Sequence, residues 1–171
     1  RGARGLGGGA LGPLDPGRAA RRRGRPPPTA RPAAAEPSGH AALDAVLPAG
    51  GWPEAALTEL LLAADGLGEL QLLLPTLRRL TRAGRPVVFV DPPYVPNAPA
   101  LAAAGVELAR LHVVEAGRDA PWALEQCLRS QACGAVLGWP MRADDKSLRR
   151  LQVAAETGQC LGFLFRPLAA A

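Results

Sequence analysis

The stretch ALTELLLAADGLGELQ, residues 56–71, decides the fold of this chain. Its first part, 56–62, is apolar enough for a buried strand, and the glycine-containing segment 63–68 predicts a turn. A helix is predicted over 67–83, and it is ended by a glycine at position 84. Strand, glycine turn and helix in this order are the layout of a phosphate-binding P-loop.

The residues that would bind phosphate are missing from this layout. A working P-loop carries Gly-Lys-Ser/Thr at the start of its helix, where the lysine neutralises phosphate and the hydroxyl holds Mg²⁺. Here Gly68 is followed by Glu69 and Leu70. A carboxylate repels a triphosphate, and leucine cannot hold a metal. We therefore predict a degenerate P-loop with no cofactor, no metal and no catalytic residue, made of Asp65, Gly66, Gly68, Glu69 and Leu70.

The basic character of the chain is concentrated at one end. The chain has 171 residues and a net charge of +5, and residues 1–36 carry eight arginines against Asp15 and Glu36. Residues 37–171 carry 12 basic and 13 acidic side chains. We predict that 1–36 is a disordered Arg/Pro/Gly/Ala-rich tail, because it has too few large apolar side chains to offset the entropy cost of ordering. Such a tail either grips phosphate backbones or serves as a solvated linker. One folded domain is expected over 37–168.

The cysteines and the hydropathy of the sequence argue against a secreted or membrane-spanning protein. The three cysteines form no CxxC pair and are odd in number, which argues against a disulfide framework and against a zinc site. The sequence contains no apolar run of the length that spans a bilayer and no signal-peptide core. We expect a cytoplasmic protein without a membrane segment.

Strand and helix patterns alternate along the body of the chain. This alternation predicts right-handed crossovers and a mostly parallel five-stranded sheet with helices on both faces, in a three-layer α/β/α arrangement. Pro75 should kink or break the second helix, and Trp122, Leu124 and Leu128 should face inward. The predicted strands are 56–62, 86–91, 111–115, 134–138 and 161–165, and the predicted helices are 38–47, 67–83, 98–104, 120–131 and 144–158.

Eight short segments, in order over about 130 residues, carry a family resemblance. The chain resembles the RecA-like proteins called ImuA, which accompany translesion DNA synthesis and are also grouped with SulA-like proteins. The segments are ALD (42–44), GGWP (50–53), ALTELL (56–61), DPPYVPNAP (91–99), AAGV (103–106), GAVLGWP (134–140), LRRLQ (148–152) and GFLFRP (162–167).

The resemblance implies a RecA-like fold with strand order 3-2-4-5-1 and no ATPase activity. At the position of the catalytic glutamate of RecA-type ATPases stands Pro93, and at that of the metal-binding aspartate stand Gly138 and Trp139. The implied function is a non-catalytic accessory role in bacterial translesion synthesis, part of SOS mutagenesis and DNA repair. The implied partners are an ImuB-like, Y-family-like polymerase subunit and an error-prone DNA polymerase, with RecA, DNA or a second copy as further partners.

Two alternatives stay open. One is a SulA-like inhibitor of cell division that binds the division GTPase FtsZ, again without turnover. The other is a residual ATPase that uses a different cation.

Candidate contact residues are aromatic side chains in loops and a basic helix face. Two of the tryptophans sit in Gly-Trp-Pro turns, where they either anchor an interface or cap the core. The tyrosine of the proline-rich loop could stack on a nucleic-acid base or brace its own loop. Four cations share one side of the fifth predicted helix, as a partner or DNA contact or as an ordinary solvated face. These candidates are Trp52, Tyr94, Trp139, Arg142, Lys146, Arg149 and Arg150.

Overall fold

The predicted alternation of strands and helices is present in a computed structural model of the chain, which describes residues 34–64, 68–140 and 143–170. The predicted tail up to residue 33, and with it Asp65, Gly66 and Arg142, lie outside the described residues. The elements are β1 (Ala35–Glu36), α1 (Ala41–Asp44), β2 (Trp52–Pro53), β3 (Leu57–Leu62), α2 (Glu69–Arg82), β4 (Val87–Val90), α3 (Ala98–Ala103), β5 (Leu111–Val114), α4 (Ala120–Arg129), β6 (Ala135–Gly138), α5 (Asp145–Gly158) and β7 (Leu161–Pro167).

Five of the strands form one parallel sheet. Its order is β3-β7-β6-β4-β5, and every pair in it is parallel. This is the predicted order 3-2-4-5-1 counted from the opposite edge, so the strand order is confirmed. The strands β4 and β6 are buried throughout, as their continuous apolar runs predict. The edge strands β3 and β5 are only partly covered.

Two hydrophobic clusters lie on opposite faces of this sheet. The helices α2 and α3 cover one face, with Leu77 and Leu101 against Phe89 and Phe163. The helices α4 and α5 cover the other, with Leu128 and Leu151 against Val136. The expected layering of helix, sheet and helix is thereby present.

The helix α2 runs through Pro75 as one element of 14 residues, so the predicted break does not occur. An interior proline costs a helix about 3 kcal/mol. The helix buries Leu73, Leu77 and Leu80 almost completely, and each buried leucine contributes roughly 1.5–3 kcal/mol. Gly39 packs closely against the proline ring, since a Cβ there would lie 2.3 Å from the Cβ of Pro75.

The amino-terminal boundary and the first helix differ from the predictions. The strand β1 pairs antiparallel with β2, and Glu36 forms an ion pair with Arg79 of α2. Folded structure therefore begins before residue 37. The predicted helix 38–47 shrinks to α1, and Ser38, the predicted cap, is buried and bonded to Asp44 instead. The pairing of Glu36 with Trp52, which is distant in sequence, cannot be read from a local pattern.

Candidate functional site

A cleft of about 520 Å³ opens at the carboxyl ends of β4, β6 and β7. The chain leaves β4 through α3 on one face of the sheet and leaves β6 through α5 on the other. Ligands of open α/β sheets bind at such a switch point, outside the carboxyl ends of the strands. We call this pocket the switch-point cleft. Its lining comprises Asp91, Pro93, Gly117, Arg118, Ala120, Pro121, Trp139, Pro140, Phe165 and Pro167.

Trp139 forms the aromatic wall of the switch-point cleft. Its ring stacks on Phe165 at a centroid distance of 4.8 Å and meets Phe89 edge-on at 5.6 Å. Its indole N–H is buried and finds no hydrogen-bond acceptor among the described residues. Trp139 therefore packs on the core, as one of its two alternatives predicted, and it also borders an open cleft; its role as an interface anchor stays a prediction.

Asp91 fixes the floor of the cleft. Its backbone adopts a left-handed conformation with φ of 47°, which is strained for an aspartate. Its carboxylate accepts a hydrogen bond of 2.8 Å from the N–H of Ala116, and its own N–H donates to the carbonyl of Val114 at 2.9 Å. Asp91 thus ties the end of β4 to the chain that leaves β5.

A second, smaller depression adjoins the switch-point cleft. It measures about 230 Å³ and shares Arg118 and Pro121 with the cleft, and Trp122 and Arg150 also line it. The prediction that Trp122 faces inward is wrong, because 63% of its surface is exposed. The face of α4 that packs on the sheet carries Ala123, Leu124 and Leu128 instead, which turns Trp122 outward.

The proline-rich loop after β4 adds two more exposed apolar side chains. Tyr94 is 65% exposed and Val95 is 91% exposed. The structure therefore does not show the packed tyrosine that was one of the two alternatives. Both side chains lie on the same end of the sheet as the cleft, because the loop begins directly at the carboxyl end of β4.

The predicted basic face of α5 is partly engaged inside the protein. Arg150 forms an ion pair with Glu125, which is buried and is also bonded by Arg129 at 2.9 Å. Lys146 and Arg149 are exposed, whereas the fourth predicted member, Arg142, lies outside the described residues. The helix is capped by Asp144, whose side chain accepts a bond of 2.8 Å from the N–H of Ser147.

Trp52 is not available for contact with a partner. It is 2% exposed, its ring meets Phe163 edge-on at 5.3 Å, and its indole N–H donates to the hydroxyl of Thr76 at 3.1 Å. The pairing of β1 with β2 closes over this position. As a contact residue Trp52 was a wrong choice, and its alternative role, that of a core residue, is the observed one.

At the degenerate P-loop the structure describes the helix end of the motif. Gly68 has a left-handed backbone with φ of 86° and precedes Glu69, the first residue of α2. Leu70 packs against the core cluster of that face. A carboxylate rather than an ammonium group therefore opens the helix.

The described part of the chain contains neither a metal-binding cluster nor a cysteine that is activated as a nucleophile. It contains no group of three His, Cys, Asp or Glu side chains arranged to hold a metal ion. Burial raises the pKa of Cys160 to about 12, and burial also raises the pKa of Cys127. A thiol with a raised pKa is a weak nucleophile at neutral pH.

Among the described residues, none of the helices has the length and apolar character that crossing a bilayer requires.

The fold and the cleft define an α/β domain with a ligand-sized opening at its switch point. Comparison with known proteins shows similarity to cell division inhibitors. The chain is 38% identical over 101 residues to the cell division inhibitor SulA of Edwardsiella piscicida, which covers 56% of the chain and 58% of that relative. It is 29% identical over 116 residues to SulA of Yersinia enterocolitica, covering 66% and 68%. No protein-family model matches.

A solved structure supports the same likeness. The crystal structure of SulA from Pseudomonas aeruginosa matches with a TM-score of 0.56 and 26% identity, over 66% of this chain and 98% of that one. The chain is thus similar to SulA proteins in both sequence and structure, although it spans only 58% of the length of the Edwardsiella relative.

These comparisons overturn the translesion-synthesis prediction. The similar proteins are cell division inhibitors, so an accessory role in translesion synthesis or DNA repair, with an ImuB-like polymerase subunit and an error-prone polymerase as partners, was wrong. The segments that suggested it lie in α1, β2, β3, β6, α5, β7 and the loops beside them. Such segments specify a fold, and a fold does not determine a function.

Proposed function

We propose that this chain is a non-catalytic inhibitor of cell division that belongs to the SOS response to DNA damage and acts by binding the division GTPase FtsZ. The observation that carries the proposal is the likeness to SulA, at 38% identity over 101 residues. The match to 98% of a solved SulA chain supports it.

A binding role without turnover agrees with the chemistry of the chain. We propose that the fold is RecA-like and that its nucleotide site is a pseudo-site. Glu69 stands where a phosphate-binding lysine would be, and Pro93 and Trp139 occupy the positions of the catalytic acid and the metal-binding acid. A stoichiometric inhibitor needs a stable surface rather than a reaction centre. Calorimetric titration with ATP and Mg²⁺ should show no saturable heat, and saturable binding would contradict the pseudo-site.

We propose that the accessible candidate residues contact the partner. Tyr94, Lys146 and Arg149 are exposed, and Arg150 is exposed although paired. Trp139 is reached only through the cleft. A basic tail stays a proposal for residues 1–33, and deletion of these residues tests its contribution.

The direct test measures the effect of the purified chain on purified FtsZ. At equimolar ratio we expect loss of FtsZ polymer in sedimentation with GTP and a parallel fall in GTP hydrolysis, because an inhibitor that binds the subunit removes it from assembly. The chain carrying Trp52→Ala, in which a buried core side chain is removed, serves as a control for the need of the folded domain. The proposal is wrong if the folded chain in molar excess over FtsZ leaves both readouts unchanged.

A further inference from the structure

We propose, resting on the function proposed above, that FtsZ docks on the carboxyl-end face of the sheet. This face consists of the switch-point cleft, the adjoining depression and the exposed side chains around them. The occupant is a segment of the partner that places a large apolar side chain in the cleft and a neighbouring carboxylate against Arg118.

Exposed apolar side chains are concentrated on this face. Nine large hydrophobic residues are exposed in the described part of the chain, and six of them lie near or beyond carboxyl ends of strands or at the start of α4. Exposed apolar surface marks interaction sites, and aromatic side chains are enriched there. The six are Leu61, Tyr94, Val95, Val113, Trp122 and Leu168.

The cleft has the size and stiffness of a receptor for a side chain. Its volume of about 520 Å³ lies in the range of pockets that bury a drug-sized ligand, roughly 300–1,000 Å³. Trp139 and Phe165 are stacked on each other, and prolines form much of the remaining wall. Rigid walls lower the entropy cost of binding, because few side chains need to be ordered.

The positive charge of Arg118 predicts a carboxylate in the docked segment of the partner. Arg118 lines both depressions, is exposed, and forms no ion pair with any residue that the structure describes. Asp91, which lines the cleft, already accepts a bond from the N–H of Ala116. Of the acids that line the adjoining depression, Glu125 is paired with Arg129 and Arg150, and Asp119 forms no ion pair with Arg118. A carboxylate of the partner would therefore find a guanidinium group with its donors open, and such pairs are often bidentate.

The arginines late in α2 fit a partner less well. Arg79 is bound to Glu36, and Arg82 donates to the carbonyl of Gly105. The depression that they line, with Arg78 and Pro75, contains no aromatic side chain. These guanidinium groups largely serve the fold itself.

The experiment compares two ends of the same sheet. On the carboxyl-end face we would make Trp122→Ala, Arg118→Glu and their combination. At the amino-terminal ends of the strands the matched variants are Leu108→Ser, just before β5, and Arg85→Glu, just before β4, which remove an exposed apolar side chain and an exposed positive charge. All four positions are exposed, so circular dichroism and thermal melting should show folded proteins. The Kd for FtsZ is measured for each by biolayer interferometry.

We expect the combined Trp122 and Arg118 variant to raise the Kd at least tenfold, which is about 1.4 kcal/mol. The conservative Arg118→Lys should retain much of the affinity, whereas the amino-end variants should stay within about twofold of the parent. If the parent binds FtsZ and the amino-end variants lose affinity while the carboxyl-end variants do not, the docking face is wrong and the proposed function stands. Absence of binding by the parent chain overturns both.

Discussion

Two turns of identical sequence, Gly-Trp-Pro at 51–53 and at 138–140, have opposite roles in this molecule. Trp52 is 2% exposed and fully hydrogen-bonded through its indole. Trp139 borders an open cleft, and its indole N–H has no acceptor among the described residues. The first turn closes the core and the second shapes a surface.

The difference follows from where each turn meets the sheet. The first precedes β3 and is itself paired as β2 with β1, so backbone and α2 enclose its tryptophan. The second follows β6 at the carboxyl edge, where crossovers diverge to opposite faces and leave a gap. The burial of each tryptophan is therefore determined by the strand ends around it and not by the tripeptide motif.

The largest contrast should come from removing each indole. Trp52→Ala should lower the free energy of unfolding by about 3–5 kcal/mol, as for other buried aromatic residues. Trp139→Ala should cost about 2 kcal/mol, because part of its surface is already open and less apolar area is lost. Urea unfolding followed by circular dichroism measures both. Equal losses would show that the two turns are energetically alike.

The glycines of the two turns offer a sharper comparison. A Cβ on Gly51 would lie 2.4 Å from the backbone carbonyl oxygen of Glu36, whereas a Cβ on Gly138 would lie 2.5 Å from a methyl group of Leu124. Backbone in a paired strand cannot yield, but a leucine side chain can change its rotamer. Overpacking costs roughly 1–3 kcal/mol, so we expect Gly51→Ala near the top of this range and Gly138→Ala near the bottom. Thermal melting of both variants checks the order, and the reverse order would contradict it.

A third comparison removes a hydrogen-bonding group beside each indole. Thr76→Val keeps the shape of the side chain but leaves the buried N–H of Trp52 unpaired, which should cost about 1–3 kcal/mol. Trp139→Phe removes an N–H that has no partner in the described chain, so its cost should come from the lost packing of the smaller ring alone, about 1 kcal/mol. The midpoints of urea unfolding compare them. A larger loss for Trp139→Phe than for Thr76→Val would contradict this order.

Much of the scaffold could be predicted because its signals are local. Apolar runs bounded by glycine and proline mark β4, β6 and β7, and the alternation with helices predicts parallel crossovers. The pairing of β1 with β2 could not be predicted, because it joins residues distant in sequence. The outward orientation of Trp122 was missed for a related reason. Its helix has apolar residues at 122, 123 and 124, and only packing on the sheet decides which of them is buried.

The sequence could predict where the cleft lies but not all of the residues that line it. A parallel sheet whose order reverses predicts a crevice at the carboxyl ends, and Asp91 and Trp139 follow the two strands that border it. Arg118 carries no sequence signal, since it lies in a short turn before α4 and reaches the site only through the fold. The family-like segments likewise lie in strands, helices and the loops between them, so they specified the fold without specifying the function.

The smallest predicted effect tests where the two regions are alike. Asp44 stands beside the first turn and Asp144 follows the second, and hydrogen bonds from the side chain and backbone of Ser38 and of Ser147, respectively, lower the pKa of each carboxyl below its usual value. The stabilisation that each supplies is therefore fully present above the unfolded-state pKa of about 3.9 and is lost as pH falls through the lower folded-state pKa. Carboxyl ¹³C NMR titration should place both pKa values below the usual range, and Asp44→Asn and Asp144→Asn should each flatten the acid limb of the melting-temperature profile slightly. Since both carboxyls are at the surface, the two slopes should be similar although the neighbouring tryptophans differ so strongly in burial. A marked difference between them would mean that the enclosure of Trp52 extends to the charges around it.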